Sequence, residues 1–228
     1  LIIDISEISV DETESVTTPF EHFFFASELK RLQVPFVSLA PRFIGDFEKG
    51  IDYRGDMKLF TDEYVKHLKI TRYFDTYKLS LHSGSDKFTV YRIIGSLGEG
   101  HIHVKTAGTR YLEALKVLAI KEPNFFRKIL DFSRGLYEIE KKSYHVSAEL
   151  SKVPAGSECS DSDLVQLFQD DNARQVLHVT FGRVLTEENP DGGYFFRDDI
   201  FEFLKIHEET YDHLLREHFR KHLEPFEK

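Results

Sequence analysis

Short runs in which apolar and polar residues alternate recur along this chain, and each run predicts a β-strand. Six of them lie at roughly 2–11, 34–41, 77–82, 101–106, 143–148 and 175–181. Stretches with helical spacing separate them. Because strands and helices alternate strictly, the pattern favours a parallel sheet covered by helices.

The predicted helices begin at recognisable signals. Thr17, Thr18 and Pro19 offer an N-cap and a first-turn proline before "FEHFFFASELKRL". Asp56 precedes "MKLFTDEYVKHLKITRYF", Thr109 precedes "RYLEALKVLAI", and Pro123 begins the next helix. In the helix after Asp56, the spacing predicts a buried face, formed by Leu59, Tyr64, Leu68 and Tyr73. One long charged helix is expected near 197–222.

The two faces of the predicted strands differ in polarity. In "YKLSLHSGSDKF", Leu79 and Leu81 alternate with Ser80 and His82, and the other strands follow the same rule. An open sheet with helices on both sides should be apolar on both faces. The pattern therefore predicts an α/β fold of the (β/α)₈ TIM-barrel type with a polar interior. With about six β/α units in 228 residues, we expect one barrel domain over 1–228, or the C-terminal part of one.

An open doubly wound sheet is the competing fold. Its usual Gly-x-Gly-x-x-Gly phosphate motif is absent after the first predicted strand.

The polar faces place chemically useful side chains near the ends of successive predicted strands, where barrel enzymes build their sites. The set comprises Asp11, Arg42, His82, Lys105, His145 and His178. Imidazoles with a carboxylate suit a divalent metal ion such as zinc, manganese, iron or nickel. We predict a metal site that uses some of His82, His145 and His178, with Asp11 or Glu12 as the carboxylate. A hydrogen-bonded structural role is the alternative for each histidine.

Lys105 is open to several interpretations: an ion pair, a general acid/base, a carboxylate anchor, or a Schiff-base lysine. The turns "TAGTR" and "SGSDK" offer backbone N–H groups that could hold an anion.

Composition narrows the function classes. A net charge of −9 without a basic stripe argues against a nucleic-acid partner. No apolar run approaches the roughly 20 residues that span a bilayer, so no membrane partner is expected. The single cysteine, Cys159, has no partner for an internal disulfide, which favours a reducing, cytoplasmic location.

Two histidine patterns near the C-terminus do not indicate a metal site. "HEETYDH" lacks the second histidine of a zinc-protease motif, since Tyr211 stands in its place. His218 and His222 are four residues apart on a charged helix, and the pattern predicts a solvated face for them.

Several long segments together resemble the tagaturonate/fructuronate epimerase family of bacterial hexuronate catabolism. They are "VDET…TTPFEH", "SLAPRF", "FEKGIDY", "KLSLHSGSDKF", "HVKTAGT", "SYHVSAEL" and "LHVTFG". The resemblance implies a (β/α)₈-type fold and a metal-dependent isomerase that interconverts D-tagaturonate and D-fructuronate at C4. Because family members are considerably longer, we expect this chain to be a C-terminal fragment, with part of the active site upstream of Leu1. If turnover needs that upstream part, the fragment is inactive.

The resemblance suggests roles for the inward residues in a retro-aldol route. His145 and His178 would bind the metal, with His82 as a third ligand or a substrate contact. Lys105 and Asp11 would be the catalytic acid/base groups. The substrate, a small sugar acid, would be bound through Arg42, His82, Asp86 and Lys87.

Two other functions stay open: a Schiff-base aldolase or isomerase that uses Lys105, and a fragment that binds a sugar acid without turnover. An unpaired sheet edge would also allow a homo-oligomer.

Overall fold

The computed structural model describes residues 6–106 and 108–227. The chain divides into two compact units, the first formed by Leu1–Phe47, Asp52–Thr106 and Leu223–Lys228, the second by Glu48–Ile51 and Ala107–His222. The strands are β1 (Glu7–Ser9), β2 (Ser38–Ala40), β3 (Lys78–Leu81) and β4 (Ile102–Val104). The helices are α1 (Pro19–Arg31), α2 (Met57–Phe74), α3 (Phe88–Gly98), α4 (Arg110–Lys121), α5 (Pro123–Glu140), α6 (Asp161–Gln166), α7 (Asp171–Val179), α8 (Phe181–Thr186), α9 (Arg197–Ile206) and α10 (Glu208–Leu223).

The first unit is an α/β structure with a four-stranded parallel sheet. Its strands lie in the order β1-β2-β3-β4, so each pairs with the strand before it in sequence. Neighbouring helices of the unit, α1 with α2 and α2 with α3, pack against each other. Leu79 and Leu81 of β3 join Phe60, Tyr64 and Ile94 of these helices in one apolar core. By alternation, Ser80 and His82 therefore belong to the face of the sheet away from that core.

Four of the predicted strands are confirmed, although each is shorter than expected. Ser38 of β2 is level with Glu7, and Ser80 of β3 is level with His103. Residues 2–5 of the first predicted strand lie outside the described residues, as does Ala107 of the "TAGTR" turn.

The strand predicted at 175–181 is wrong, because this segment is helical. Asp170 caps α7 by accepting a hydrogen bond from the Ala173 amide at 2.8 Å. Ala173, Val176 and Leu177 are then buried at helical spacing. The alternation of Leu177 and Val179 arose because α7 is buried on more than one side.

The strand predicted at 143–148 is also wrong. Lys141–Ser143 forms a 3₁₀ turn, and residues 144–149 follow without strand structure. The Ser147 and Ala148 amides donate to side chains of Glu48 and Gln175 instead of to a neighbouring strand. Side-chain acceptors have replaced the ladder that the alternation predicted.

The helix starts are confirmed at Thr18, Asp56, Thr109 and Pro123. Thr18 and Glu21 form a capping box, and Asp56 accepts from the Lys58 and Leu59 amides. The prediction of one long last helix is wrong, because the structure has two separate helices there, α9 and α10.

The predicted buried face of α2 is half wrong. Tyr64 and Leu68 are buried, whereas Leu59 and Tyr73 are 45% and 75% exposed. The buried face is Phe60, Tyr64, His67, Leu68, Thr71 and Phe74.

The second unit is built from helices around one core. Helix α5 packs against α4 and α7, and the core includes Leu115, Phe126, Ile129 and Val176. No helix among the described residues is long and apolar enough to cross a membrane.

Gly95→Ala is expected to loosen the packing of α3 against the 3₁₀ turn Glu224–Phe226, both of which belong to the first unit. A Cβ at Gly95 of α3 would lie 2.1 Å from the Pro225 carbonyl oxygen, a backbone atom with little room to move. We expect a loss of about 1–3 kcal/mol in unfolding free energy, measured by urea titration. Gly135→Ala in α5, where nothing lies within 4 Å, is the control and should stabilise by about 0.5–1 kcal/mol. Equal effects of the two substitutions would contradict the packing argument.

Candidate active site

A cluster of polar side chains centred on Glu7 occupies the first unit's sheet. Glu7 Oε1 accepts hydrogen bonds from Ser38 Oγ at 2.8 Å and Ser80 Oγ at 2.5 Å, and lies 2.9 Å from His103 Nδ1. Its other oxygen, Oε2, lies 2.9 Å from His82 Nε2. One carboxylate from the edge strand therefore connects side chains of all four strands.

The surroundings of Glu7 keep it ionised. Burial alone would raise its pKa, but the hydrogen bonds from Ser80, Ser38, His82 and His103 outweigh burial and lower the pKa to about 2. An ionised carboxylate only accepts hydrogen bonds, so Nδ1 of His103 must carry the proton that it shares with Glu7.

His82 lies between two carboxylates. Its Nδ1 is 3.2 Å from Asp11 Oδ1 and 3.3 Å from Ser9 Oγ, which itself donates to Asp11. The hydrogen bond to Asp11 raises the pKa of His82, against the opposing effect of burial. Burial would raise the pKa of Asp11, but the hydrogen bonds from His82 and Ser9 lower it. The arrangement favours an imidazolium between two carboxylates.

Three more of the predicted site residues, Arg42, Lys105 and Glu12, follow strands of the same sheet. Arg42 follows β2, and its guanidinium donates to the Thr13 carbonyl. Lys105 follows β4 with an exposed side chain, and its backbone pairs with Leu81 and Gly84. Glu12 is exposed after β1.

Asp86 and Lys87 lie in the "SGSDK" turn after β3, and both are buried. Asp86 has a left-handed backbone, with φ at +59°. Lys87 is the residue before α3, and its Nζ donates to the Ser85 carbonyl at 3.1 Å. Their roles as substrate contacts stay predictions.

His145 and His178 belong to the second unit and lie outside any strand. His145 is exposed in the segment after the 3₁₀ turn, and His178 is buried in α7. A Cβ at Gly108 would lie 2.7 Å from His178 Cε1, and one at Gly50 would lie 3.3 Å from its Cβ. Backbone thus approaches the ring closely at Gly108, where a larger residue would collide with it.

Close to His145 in the sequence, a buried hydrogen-bond network joins residues 147–148 and 48–49 to α7. Gln175 Oε1 accepts from the Ser147 and Ala148 amides at 3.1 and 2.8 Å, while its Nε2 donates to Glu48 at 2.6 Å and to the Lys49 carbonyl at 3.2 Å. Glu48 also accepts from the Ser147 hydroxyl at 2.7 Å. The network brings Glu48 and Lys49 together with Ser147 and Ala148 at α7.

The prediction that His218 and His222 form a solvated face is wrong, because they are only 7% and 8% exposed. Their ring centroids are 4.5 Å apart on α10. His218 Nδ1 lies 3.4 Å from Glu113 Oε1, and its Nε2 lies 3.3 Å from Thr109 Oγ1. His222 Nδ1 lies 2.8 Å from the His218 carbonyl oxygen.

Comparison with known proteins gives one family. The tagaturonate epimerase (UxaE) family matches residues 3–226. The chain belongs to this family. It is 46% identical over 221 residues to the tagaturonate/fructuronate epimerase of Thermotoga maritima, covering 97% of this chain and 45% of that protein.

Solved structures of UxaE proteins have the same fold as this chain. The native and one-glycerol crystal structures of the fructuronate-tagaturonate epimerase of Cohnella laeviribosi each match with a TM-score of 0.93 and 43% identity. Each match covers 96% of this chain and 45% of the other. The chain therefore spans about half the length of the UxaE proteins it matches.

Alternation assigned Ser38, Ser80 and His103 to the polar faces of their strands, but it did not select them, or Glu7, as site residues of this UxaE chain. Each shares strand parity with a residue that the alternation did select, as Glu7 does with Asp11 and His103 does with Lys105. Barrel enzymes build their sites at the ends of strands, so the polar residues in the middle of each strand were not selected. Selecting every polar residue of that parity, and not only those at strand ends, would have included them.

Proposed function

We propose that this chain is part of an enzyme that interconverts D-tagaturonate and D-fructuronate by inverting C4. The observation that carries the proposal is 46% identity over 97% of the chain to a protein named for that reaction. The consecutive parallel order β1-β2-β3-β4 supports the further proposal that the first unit is part of a (β/α)-barrel, in which strands follow one another in this way.

The proposed route is retro-aldol cleavage and re-addition. The C4 proton is β to the C2 ketone and too weakly acidic for direct removal. Loss of the C4 hydroxyl proton instead lets the C3–C4 bond break, with its electron pair moving to the C2 carbonyl oxygen. The aldehyde then turns, the enediolate adds to its other face, and the hydroxyl is reprotonated. The chain must therefore supply groups that move a proton and groups that hold the substrate carboxylate.

The Glu7 cluster supports the acid–base part of the proposal. Asp11 and Lys105 remain the acid/base candidates, with Asp11 held by His82 at 3.2 Å. Arg42 and Lys87 are the proposed cations for the substrate carboxylate, and Asp86 is proposed to bind sugar hydroxyls. His82 faces carboxylates through both ring nitrogens, and an imidazolium has no lone pair for a metal. We therefore propose a substrate or positioning role for His82.

A divalent metal ion fits the histidines of the second unit. Glu113 near Nδ1 of His218, and the His218 carbonyl near Nδ1 of His222, favour the tautomers that leave the lone pair on each Nε2. Two imidazoles one helix turn apart suit zinc, manganese or iron, and Glu113 would hold one of them in the right tautomer. His218 and His222 would hold the ion, and His145 and His178 stay as further proposed ligands. When bound, a divalent ion supplies Lewis-acid stabilisation of negative charge on substrate oxygens.

The test is turnover of D-tagaturonate to D-fructuronate, followed by NMR. It should use the chain and a hybrid in which the chain replaces the matching part of the Thermotoga maritima protein. We expect turnover that a chelator removes and a divalent metal restores. His218→Gln/His222→Gln should lower metal content at least tenfold, whereas His213→Gln, at an exposed site on the same helix, should not. Binding of the sugar acid without turnover in the hybrid would contradict the proposal, as would activity that survives complete metal removal.

A further inference from the structure

We propose that His103, in preference to Asp11 and Lys105, is the general base and acid of this reaction, exchanging a proton with the C4 hydroxyl through its Nε2. The inference rests on the proposed epimerase function and names a group that the strand-end pattern passed over. It is carried by the geometry of the Glu7 cluster.

The tautomer of His103 follows from its partner. His103 Nδ1 lies 2.9 Å from Glu7 Oε1, which also receives the Ser38 and Ser80 hydroxyl protons. Because Glu7 is ionised, Nδ1 must donate, and the neutral ring then keeps its lone pair on Nε2. A carboxylate that holds Nδ1–H and stabilises the imidazolium formed at Nε2 is the arrangement of the hydrolase catalytic triads.

Exposure distinguishes His103 from His82. The His103 side chain is 44% exposed, so a substrate can reach Nε2, while the His82 side chain is only 10% exposed. His82 also has a carboxylate oxygen within 3.2 Å of each nitrogen, which favours the protonated ring. Of these two histidines, only His103 has both an accessible nitrogen and a lone pair to accept a proton.

The proposed step conserves atoms and charge. Nε2 accepts the C4 hydroxyl proton as the C3–C4 bond breaks, and the electron pair of that bond moves to the C2 carbonyl oxygen. Glu7 stabilises the imidazolium across the Nδ1 hydrogen bond. After the enediolate adds to the other face of the aldehyde, Nε2 returns the proton to the C4 oxygen, and the ring is neutral again.

The state of the ring is testable on the chain itself. In ¹⁵N-resolved NMR at pH 7.5, His103 should show the Nδ1–H tautomer and His82 should show both nitrogens protonated. Diethyl pyrocarbonate should modify His103 at least tenfold faster than His82. Glu7→Gln should reduce the Nδ1–H population of His103. A predominant Nε2–H tautomer, or faster modification of His82, would overturn the inference.

Measurement of turnover is the second test. His101 is the matched control, because it is two residues from His103 and has the same parity. His101 precedes β4 and lies 3.8 Å from Asp75, away from the Glu7 carboxylate. In the chain or the hybrid, His103→Gln should lower kcat by about 10²–10⁴-fold with KM changed less than threefold. His101→Gln should stay within twofold of wild type. If His103→Gln keeps kcat within tenfold, the inference is overturned while the proposed function stands. If the wild-type protein has no turnover, both fail.

Discussion

Gln175→Leu is expected to destabilise the chain by about 3–5 kcal/mol, because it leaves several buried polar groups without partners. The Gln175 side chain is 1% exposed. Its amide makes the four hydrogen bonds described above, two as acceptor and two as donor. Leucine has a similar volume but neither donates nor accepts.

The losses fall on four groups. The Ala148 amide loses its 2.8 Å acceptor, and the Ser147 amide keeps only its acceptor on Glu48. The Lys49 carbonyl loses a donor, and Glu48 loses one of the hydrogen bonds that compensate its burial. A buried carboxylate is costly unless it is well solvated by donors. We therefore expect Glu48 to be the largest contributor.

Urea unfolding at pH 7 measures the total, and amide hydrogen exchange locates it. Exchange at Ser147 and Ala148 should accelerate more than exchange in the core of α5. Gln169→Leu, at an exposed position just before α7, is the matched control and should change stability by less than about 0.5 kcal/mol. A loss below 1 kcal/mol for Gln175→Leu would show that water or relaxation satisfies these groups.

The same network explains why alternation mispredicted the segment at 143–148. Tyr144, Val146 and Ala148 alternate with polar residues, as in a strand with one apolar face. In the fold, Val146 and Ala148 pack on the core while Glu48 and Gln175 satisfy the backbone. Alternation reports that one side of an extended segment is buried, but it does not report what accepts the amide hydrogen bonds.

Alternation succeeded in the first unit because β-ladders do satisfy the backbone there. The parity of Leu79 and Leu81 against Ser80 and His82 separated the core face from the polar face correctly. It also placed Asp11 beside His82. Alternation failed at α7, where Gln175 and His178 are buried on a helix. The N-capping residue of this helix, Asp170, is the sequence feature that indicates a helix and not a strand.

His218 shows a different limit. Its helix is rich in charged residues, which indicates a solvent-exposed position. In the fold, Thr109 and Glu113 of α4 lie beside the His218 ring. Only the tertiary packing of α4 against this part of the chain reveals that contact. Sequence spacing alone does not separate a solvated histidine pair from a buried one.

Unfolding free energy is expected to fall as the pH is lowered from 6.5 to 4.5, because two buried histidines in the first unit resist protonation. His22 and His67 are 0% and 1% exposed, and their Nδ1 atoms are 2.9 Å apart. Burial and the nearby His67 lower the pKa of His22 to about 3. Burial lowers that of His67 to about 4, although Glu63 and the Thr17 backbone partly oppose it.

The hydrogen bonds explain why the pair is stable when neutral. The Thr17 backbone accepts a hydrogen bond from His67, which favours the tautomer with its proton on Nε2. Nδ1 of His67 then has a lone pair and accepts a hydrogen bond from His22 Nδ1–H. His22 Nε2 then accepts from the Tyr77 hydroxyl, 2.7 Å away. Protonating His67 would place two Nδ1–H donors against each other, and protonating His22 would place a positive charge in a buried site.

The sign follows from linkage. Above pH 6.5 the histidines are neutral in both states, so their stabilising contribution is complete. Below 6.5 the unfolded chain binds protons that the folded chain does not, and stability falls by roughly 1 kcal/mol per pH unit for each histidine. The loss ends as the pH passes the folded pKa values of about 4 and 3. The low pKa of Glu7, about 2, adds its own acid sensitivity only below its ordinary value of 4.5.

Urea titrations at pH 6.5, 5.5 and 4.5 measure the slope. His22→Gln/His67→Gln should reduce it by at least half, whatever its effect on stability at pH 7. The exposed His213→Gln should leave the slope unchanged. If the double variant retained the wild-type slope, the acid sensitivity would lie elsewhere, and the neutral pair joining α1 to α2 would not be the group that titrates. A reduced slope would instead locate the acid-sensitive contact between α1 and α2, on the helix side of the sheet and away from the Glu7 cluster.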